Sequence, residues 1–129
     1  MILKKTAIVI DDDEDTLDVM SELLEINGID VVGVGTDGKI ATELFMRLLP
    51  DIVFLDVTMP KYDGIYALEH IRKAGPYVKI IMITGDVTMA TRMRLYDLGA
   101  SNVFYKPLDM LKIIDAMREM SVLSNDILV

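Results

Sequence analysis

Residues Ala7–Asp18 read AIVIDDDEDTLD, four apolar residues running straight into five consecutive acids, Asp11 to Asp15. The β-branched apolar run reads as a strand, and the acids follow where a helix begins. Crowding them there costs free energy, because two carboxylates ~4 Å apart repel by about 4 kcal/mol at the effective dielectric of a protein surface. Two offsets are available. Acids in a first helical turn satisfy free backbone N–H groups and complement the positive end of the helix dipole. A divalent cation offers a second offset, since hard oxygen ligands suit magnesium. The run divides between them: Asp11 and Asp12 at the strand end hold metal, and the acids after them cap the helix.

Outward from this stretch the same unit recurs. Strand-like runs cover Thr6 to Ile10, Asp30 to Val34, Ile52 to Leu55, Lys79 to Ile83 and Asn102 to Tyr105. Their continuous apolarity predicts strands buried on both faces, as in a parallel sheet. Between them, Leu17, Met20, Leu23 and Leu24 form a helical stripe that stops at Asn27-Gly28, a common left-handed helix end. Asp37 caps a second helix carrying Ile40, Ala41, Leu44, Phe45 and Leu48 up to Pro50. A third runs from about Gly64 to Lys73 with Ile65, Leu68 and Ile71 inward, a fourth ends at Gly99, and a fifth follows Pro107 with Leu108, Leu111, Ile114 and Met117 at spacings of three. Strict alternation of five strands and five helices implies right-handed crossovers and one α/β domain, a doubly wound parallel sheet with helices on both faces.

Composition fits that reading. A chain of 129 residues with 52% hydrophobic residues supports one domain with a real core. A net charge of −8 argues against the basic patch that nucleic-acid binding needs. With no cysteine, disulfides and thiolate chemistry are excluded, which suits a reducing cytoplasm. The apolar run after Lys4 and Lys5 is too short for a signal peptide or a membrane span.

In doubly wound sheets ligands gather outside the carboxyl ends of the strands. That rule selects Asp11 and Asp12 after the first strand, Asp56 after the third, Thr84 after the fourth and Lys106 after the fifth. Carboxylates of this kind hold magnesium, which readily takes a phosphate oxygen. The metal and Lys106 together screen the repulsion between Asp56 and an incoming phosphoryl group. Asp56 is then free to act as a carboxylate nucleophile, and Thr84 can donate a hydrogen bond to a phosphoryl oxygen.

The segments VIDDD, FLDVTMPKYDG, IMITGD and YKPLD, in this order and spacing, closely resemble a receiver domain of two-component signalling, the CheY-like family. The match covers about Thr6 to Met120. The resemblance implies a flavodoxin-like sheet of strand order 2-1-3-4-5 and makes Asp56 the phosphoacceptor, charged from the phosphohistidine of a histidine kinase or a histidine phosphotransfer protein. It makes Asp11 and Asp12 the acidic pair for magnesium, which manganese or calcium can replace. Thr58 supplies a backbone carbonyl to the metal, Thr84 is the switch hydroxyl and Lys106 pairs with the phosphoryl group. It also implies a cis Lys106-Pro107 bond and a positive φ at Gly64. Such a domain is not an enzyme in the ordinary sense, since it catalyses only its own phosphorylation and dephosphorylation.

This chain departs from the family pattern at Val103, where tyrosine or phenylalanine is common and swings inward with the threonine. By alternation Tyr105 shares a strand face with Val103, and Phe104 points the other way. Thr58 and Asp86, two beyond the acceptor and the switch threonine, occupy positions that tune dephosphorylation in the family. Blander readings apply elsewhere. His70 is a solvated or packed helix residue, and Met89, Met93, Met110 and Met117 fill core gaps or lie on the outer face of the last two helices. A haloacid dehalogenase-type phosphatase needs a second acid where Thr58 stands, and nucleotide binding needs a glycine-rich loop where Asp11 stands. The alternative of another class is an interaction module that keeps the fold without phosphorylation.

The expected organisation is a receiver domain over residues 1–121 and a short tail over 122–129, with no effector domain. The sequence leaves open a stand-alone protein or a piece of a larger one. Output then runs through the face of the fourth helix, fifth strand and fifth helix, binding a protein target or a second copy of the chain in a homodimer. No direct nucleic-acid contact and no membrane attachment are expected.

Overall fold

A computed structural model describes residues 4–120; the tail expected over 122–129 lies outside the described residues. The strands are β1 (Thr6–Ile10), β2 (Asp30–Gly35), β3 (Ile52–Asp56), β4 (Lys79–Thr84) and β5 (Asn102–Tyr105). They alternate with α1 (Glu14–Ile26), α2 (Gly38–Leu48), α3 (Gly64–Ala74), α4 (Met89–Asp97) and α5 (Met110–Glu119). All pairings are parallel, in the order β2-β1-β3-β4-β5, as expected. The only register irregularity in these pairings falls between Ala7 and Ile8, opposite β2.

Alternation along the inner strands divides the core into two layers. Ile8, Ile10, Val53, Leu55, Ile80 and Met82 meet Ala41 and Phe45 of α2, Leu68 and Ile71 of α3 and Leu95 of α4. On the other face Val9, Ile52, Phe54, Ile81 and Ile83 meet Leu17, Met20 and Leu24 of α1 and Ile113 and Met117 of α5. Every β3 residue is buried, whereas β2 is mostly half-buried and leaves Val34 50% exposed. Burial on both faces therefore holds for the inner strands and fails at the two edges, where no neighbour covers the outer side.

Helix ends follow the local chemistry. Asp37 accepts from the Ile40 N–H at 2.9 Å, and Asp63 from the Tyr66 N–H at 3.0 Å. Gly28 (φ +83°) and Gly99 (φ +107°) take left-handed backbone after α1 and α4. Asp13 is the N-cap of α1, but its carboxylate takes the Thr16 hydroxyl at 2.6 Å and caps no backbone amide. The capping expectation for the acidic run is corrected at that position.

Two more expectations are corrected. Leu111 is 78% exposed, while Ile113, Ile114, Ala116 and Met117 are buried. A strict spacing of three drifts around a helix of 3.6 residues per turn, so the whole stripe cannot face one way. Of the two readings of the methionines, Met89 and Met93 take the outer-face one, standing on the surface of α4, while Met117 fills the core. Gly64 is absent from the positive-φ glycines, and its requirement is one of space, because an added Cβ would meet the backbone of Asp56.

Candidate functional site

β1 carries its chain to Asp11, whose N–H continues the ladder to Gly35 O at 3.1 Å. Asp11 is 1% exposed and its Oδ1 accepts from the Asp13 N–H at 2.9 Å. Asp12 stands beside it, exposed. β3 ends on Asp56, which is 3% exposed and accepts from the Thr58 N–H at 3.4 Å. Each of Asp11, Asp12 and Asp56 places one carboxylate oxygen within 4.8 Å of the others. Three strand ends thus act together, for Lys106 follows β5 and its Nζ lies 3.2 Å from Asp11 Oδ2 and 3.3 Å from Asp56 Oδ2.

Backbone bonds fix this rim. The Val57 N–H donates to Ile83 O at 2.9 Å and the Lys106 N–H to Thr84 O at 2.9 Å. The Lys106-Pro107 bond is cis, as expected. Thr84 is 1% exposed at the end of β4, directly beside Tyr105 in register, and its Oγ1 accepts from the Asp86 N–H at 3.0 Å. Thr58 lies in the exposed loop after Asp56.

The electrostatics are unbalanced. Three carboxylates face one ammonium. Burial first, then the charge of Asp11, push the Asp56 carboxyl up from 3.8 to about 6, although Lys106 opposes both. For Lys106, burial pulls the ammonium down, but Asp56 and Asp11 outweigh it and leave the pKa raised. A donor set of clustered carboxylate oxygens with excess negative charge fits a hard divalent cation.

The Asp56 shift has a measurable consequence for stability. A carboxyl whose folded pKa exceeds its unfolded value binds more protons when folded between the two values. Its contribution is complete below about pH 3.8 and is lost as pH rises through about 6. Asp56→Asn removes the charge and keeps the shape. The variant should therefore be more stable than the native chain at pH 7 by about 1–2 kcal/mol, with a flatter stability profile between pH 4 and 6. Urea titrations across that range check both statements, and a destabilised variant at pH 7 would contradict them.

Other singled-out residues fall as follows. Val103 is buried with Tyr105 packed on the same core layer, and Phe104 joins the opposite one, as alternation predicts. Asp86 is exposed, and its carboxylate is committed to the start of α4, accepting from the Thr88 N–H at 2.9 Å and the Thr91 hydroxyl at 2.7 Å. His70 is exposed on α3, stacked on Tyr66 at 4.1 Å with Nδ1 2.7 Å from the Tyr66 carbonyl. Sequence reasoning missed the seam between α4 and β5. There the Arg92 guanidinium lies 5.7 Å from the centre of the Tyr96 ring, and the Tyr96 hydroxyl donates to Asn102 Oδ1 at 3.1 Å. The four-residue spacing of Arg92 and Tyr96 was the available signal.

Fold and site together define a doubly wound α/β domain with a carboxylate cluster and a lysine at the carboxyl edge of its sheet. Residues 7–118 match the family described as the response regulator receiver domain. The chain is 30% identical over 117 residues to the chemotaxis protein CheY of Thermotoga maritima, covering 91% of this chain and 98% of that one. It is 31% identical over 115 residues to the response regulator protein VraR of Staphylococcus saprophyticus, covering 89% of this chain and 55% of that one. Among solved structures, the CheX-CheY-BeF3-Mg+2 complex from Borrelia burgdorferi aligns with TM-score 0.85 and 27% identity, covering 90% of this chain and 89% of that one. The chain belongs to the response regulator receiver domain family, the CheY-like receivers of two-component signalling. Among the described residues, no helix is long and apolar enough to cross a membrane.

Proposed function

We propose that the chain is a phosphoacceptor switch, taking a phosphoryl group on Asp56 from the phosphohistidine of a histidine kinase or phosphotransfer protein. The observation that carries this reading is the Lys106 ammonium bridging Asp11 and Asp56, with Asp12 alongside. A carboxylate oxygen of Asp56 attacks phosphorus, the P–N bond of the donor breaks, and the departing imidazole takes up a proton. Lys106 lies where it can follow the charge onto the phosphoryl oxygens. Asp11, Asp12, Asp56 and the Thr58 carbonyl would hold magnesium, which when bound neutralises charge on the transferring group. Thr84 donates its hydroxyl to a phosphoryl oxygen.

Phosphorylation adds nearly two negative charges at one strand end and biases a two-state equilibrium of the neighbouring helix. The output face is that of α4, β5 and α5, where Val87, Met89 and Met93 stand exposed and available to a protein target or to a second copy of the chain. The cytoplasm is the compartment proposed, and residues 1–121 the receiver unit.

Intact mass after incubation with phosphoramidate or acetyl phosphate and magnesium tests the reading. One phosphoryl adduct is expected on the native chain and none on Asp56→Asn or after metal chelation. No adduct on the native chain, with these donors and with a panel of kinases, would favour an interaction module that works without phosphorylation.

A further inference from the structure

Three short local motifs run in sequence between the site and α4. The Thr84 hydroxyl oxygen accepts from the Asp86 N–H at 3.0 Å. The Asp86 carboxylate accepts in turn from the Thr88 N–H at 2.9 Å and from the Thr91 hydroxyl at 2.7 Å. Thr88 is the N-cap of α4, and its own hydroxyl accepts from the Thr91 N–H at 3.4 Å. A buried hydroxyl beside the acceptor is thus joined through one exposed carboxylate to the first turn of one helix.

That helix is held unequally at its two ends. α4 buries only Leu95, whereas each other helix buries at least three residues. Its far end is secured by Leu95, by the Tyr96 hydroxyl on Asn102, and by the Arg72 Nε–H donating to Gly99 O at 2.9 Å. Its near end has Val87 and Met89 in solvent and no buried side chain, so the polar chain from Thr84 secures that end. Val103, lacking a ring, offers no aromatic to follow the threonine.

We propose that Asp86 is the coupling residue of this chain, transmitting the position of the Thr84 hydroxyl to the first turn of α4 in place of an aromatic at residue 103. The proposal rests on the phosphoacceptor reading for what turns Thr84. When the hydroxyl turns to a phosphoryl oxygen, χ1 moves to another staggered well and Oγ1 leaves the Asp86 amide. The turn that Asp86 organises then loses its anchor, and the near end of α4 swings about the far end. Asp86 touches no reacting atom in this scheme and acts as a positioning residue.

Amide hydrogen exchange of residues 88–92 tests the coupling without any phosphoryl donor. Thr84→Val and Asp86→Ala should each speed exchange at Thr88 and Thr91 about fivefold, the scale of a lost helix cap, and leave Leu95 unchanged. Asp86→Asn, whose amide can still accept from Thr88 and donate to Thr91, should restore near-native rates. With phosphoramidate and magnesium, the native chain should gain the same acceleration on phosphorylation, and Asp86→Ala should take the adduct with no further gain. Native exchange rates in Thr84→Val, or a full phosphorylation response in Asp86→Ala, would overturn the coupling. A native chain that takes no adduct would defeat the phosphoacceptor reading instead, and the Thr84→Val comparison would still decide whether the link exists.

Discussion

Gly64→Ala is expected to destabilise the protein by about 3 kcal/mol and to lower its melting temperature by roughly 10 °C. An added Cβ would collide with the Asp56 carbonyl oxygen and would lie 2.8 Å from Val57 Cα and 2.9 Å from Asp56 C. These are backbone atoms of the buried end of β3 and of the residue after it, so no side-chain rotation relieves the clash. The Gly64 N–H also donates to Val57 O at 2.9 Å, tying the start of α3 to the same loop. Alanine gains about 1 kcal/mol in helix propensity, too little to offset the overlap. Because the strain falls on the peptide that carries Asp56, the variant should also acquire its phosphoryl adduct more slowly. Calorimetry checks the first effect and time-resolved intact mass the second; a melting temperature within 2–3 °C of native would show that the backbone gives way cheaply.

Arg72→Ala is expected to cost a comparable 2–4 kcal/mol without touching the site. The guanidinium donates to the carbonyls of Gly75 (3.0 Å), Pro76 (3.2 Å), Val78 (2.7 Å) and Gly99 (2.9 Å), and to Ser101 Oγ at 3.3 Å. Ser101 Oγ accepts from the Ile80 N–H at 3.0 Å, so one side chain ties the end of α3 and the loops before β4 and β5 together. Burial lowers its pKa, since no carboxylate accompanies it in this network. The planar fork reaches all these acceptors at once, which a lysine ammonium cannot do. Arg72→Lys should therefore recover less than half of the loss in a denaturant titration, and full recovery would reduce the role of Arg72 to its charge.

The strands were legible to within one residue because apolar β-branched runs end abruptly in acids, glycine or threonine, as at Ile10-Asp11 and Thr84-Gly85. α4 gave only its end at Gly99. Its start carries no inward stripe, since Val87, Met89 and Met93 all face solvent and the turn is built from side-chain hydrogen bonds. The edge exposure of β2 was not legible either, because strand order is a property of the whole sheet. The convergence of Asp11, Asp56 and Lys106 followed from one rule about strand ends, but the pairing of Lys106 with Asp11 spans 95 positions and leaves no local trace. Asp86 was read as a position that tunes dephosphorylation, and only its partners reveal its engagement with α4.

The seam between α4 and β5 also gives the molecule an optical property. The chain has no tryptophan and five tyrosines, so its ultraviolet emission comes from the phenols alone. Tyr77 is 91% exposed and contributes a constant aqueous background, and the Tyr62 and Tyr66 rings meet at a tilt with centroids 4.9 Å apart. The Tyr96 ring lies against Arg92 on the same helix, and Tyr105 of β5, then Tyr96, raise the pKa of that cation. A swing of α4 would carry Arg92 and Tyr96 together and part them from Tyr105 on β5. Tyrosine emission would thus serve as an unlabelled reporter of the proposed switching, readable in a cuvette.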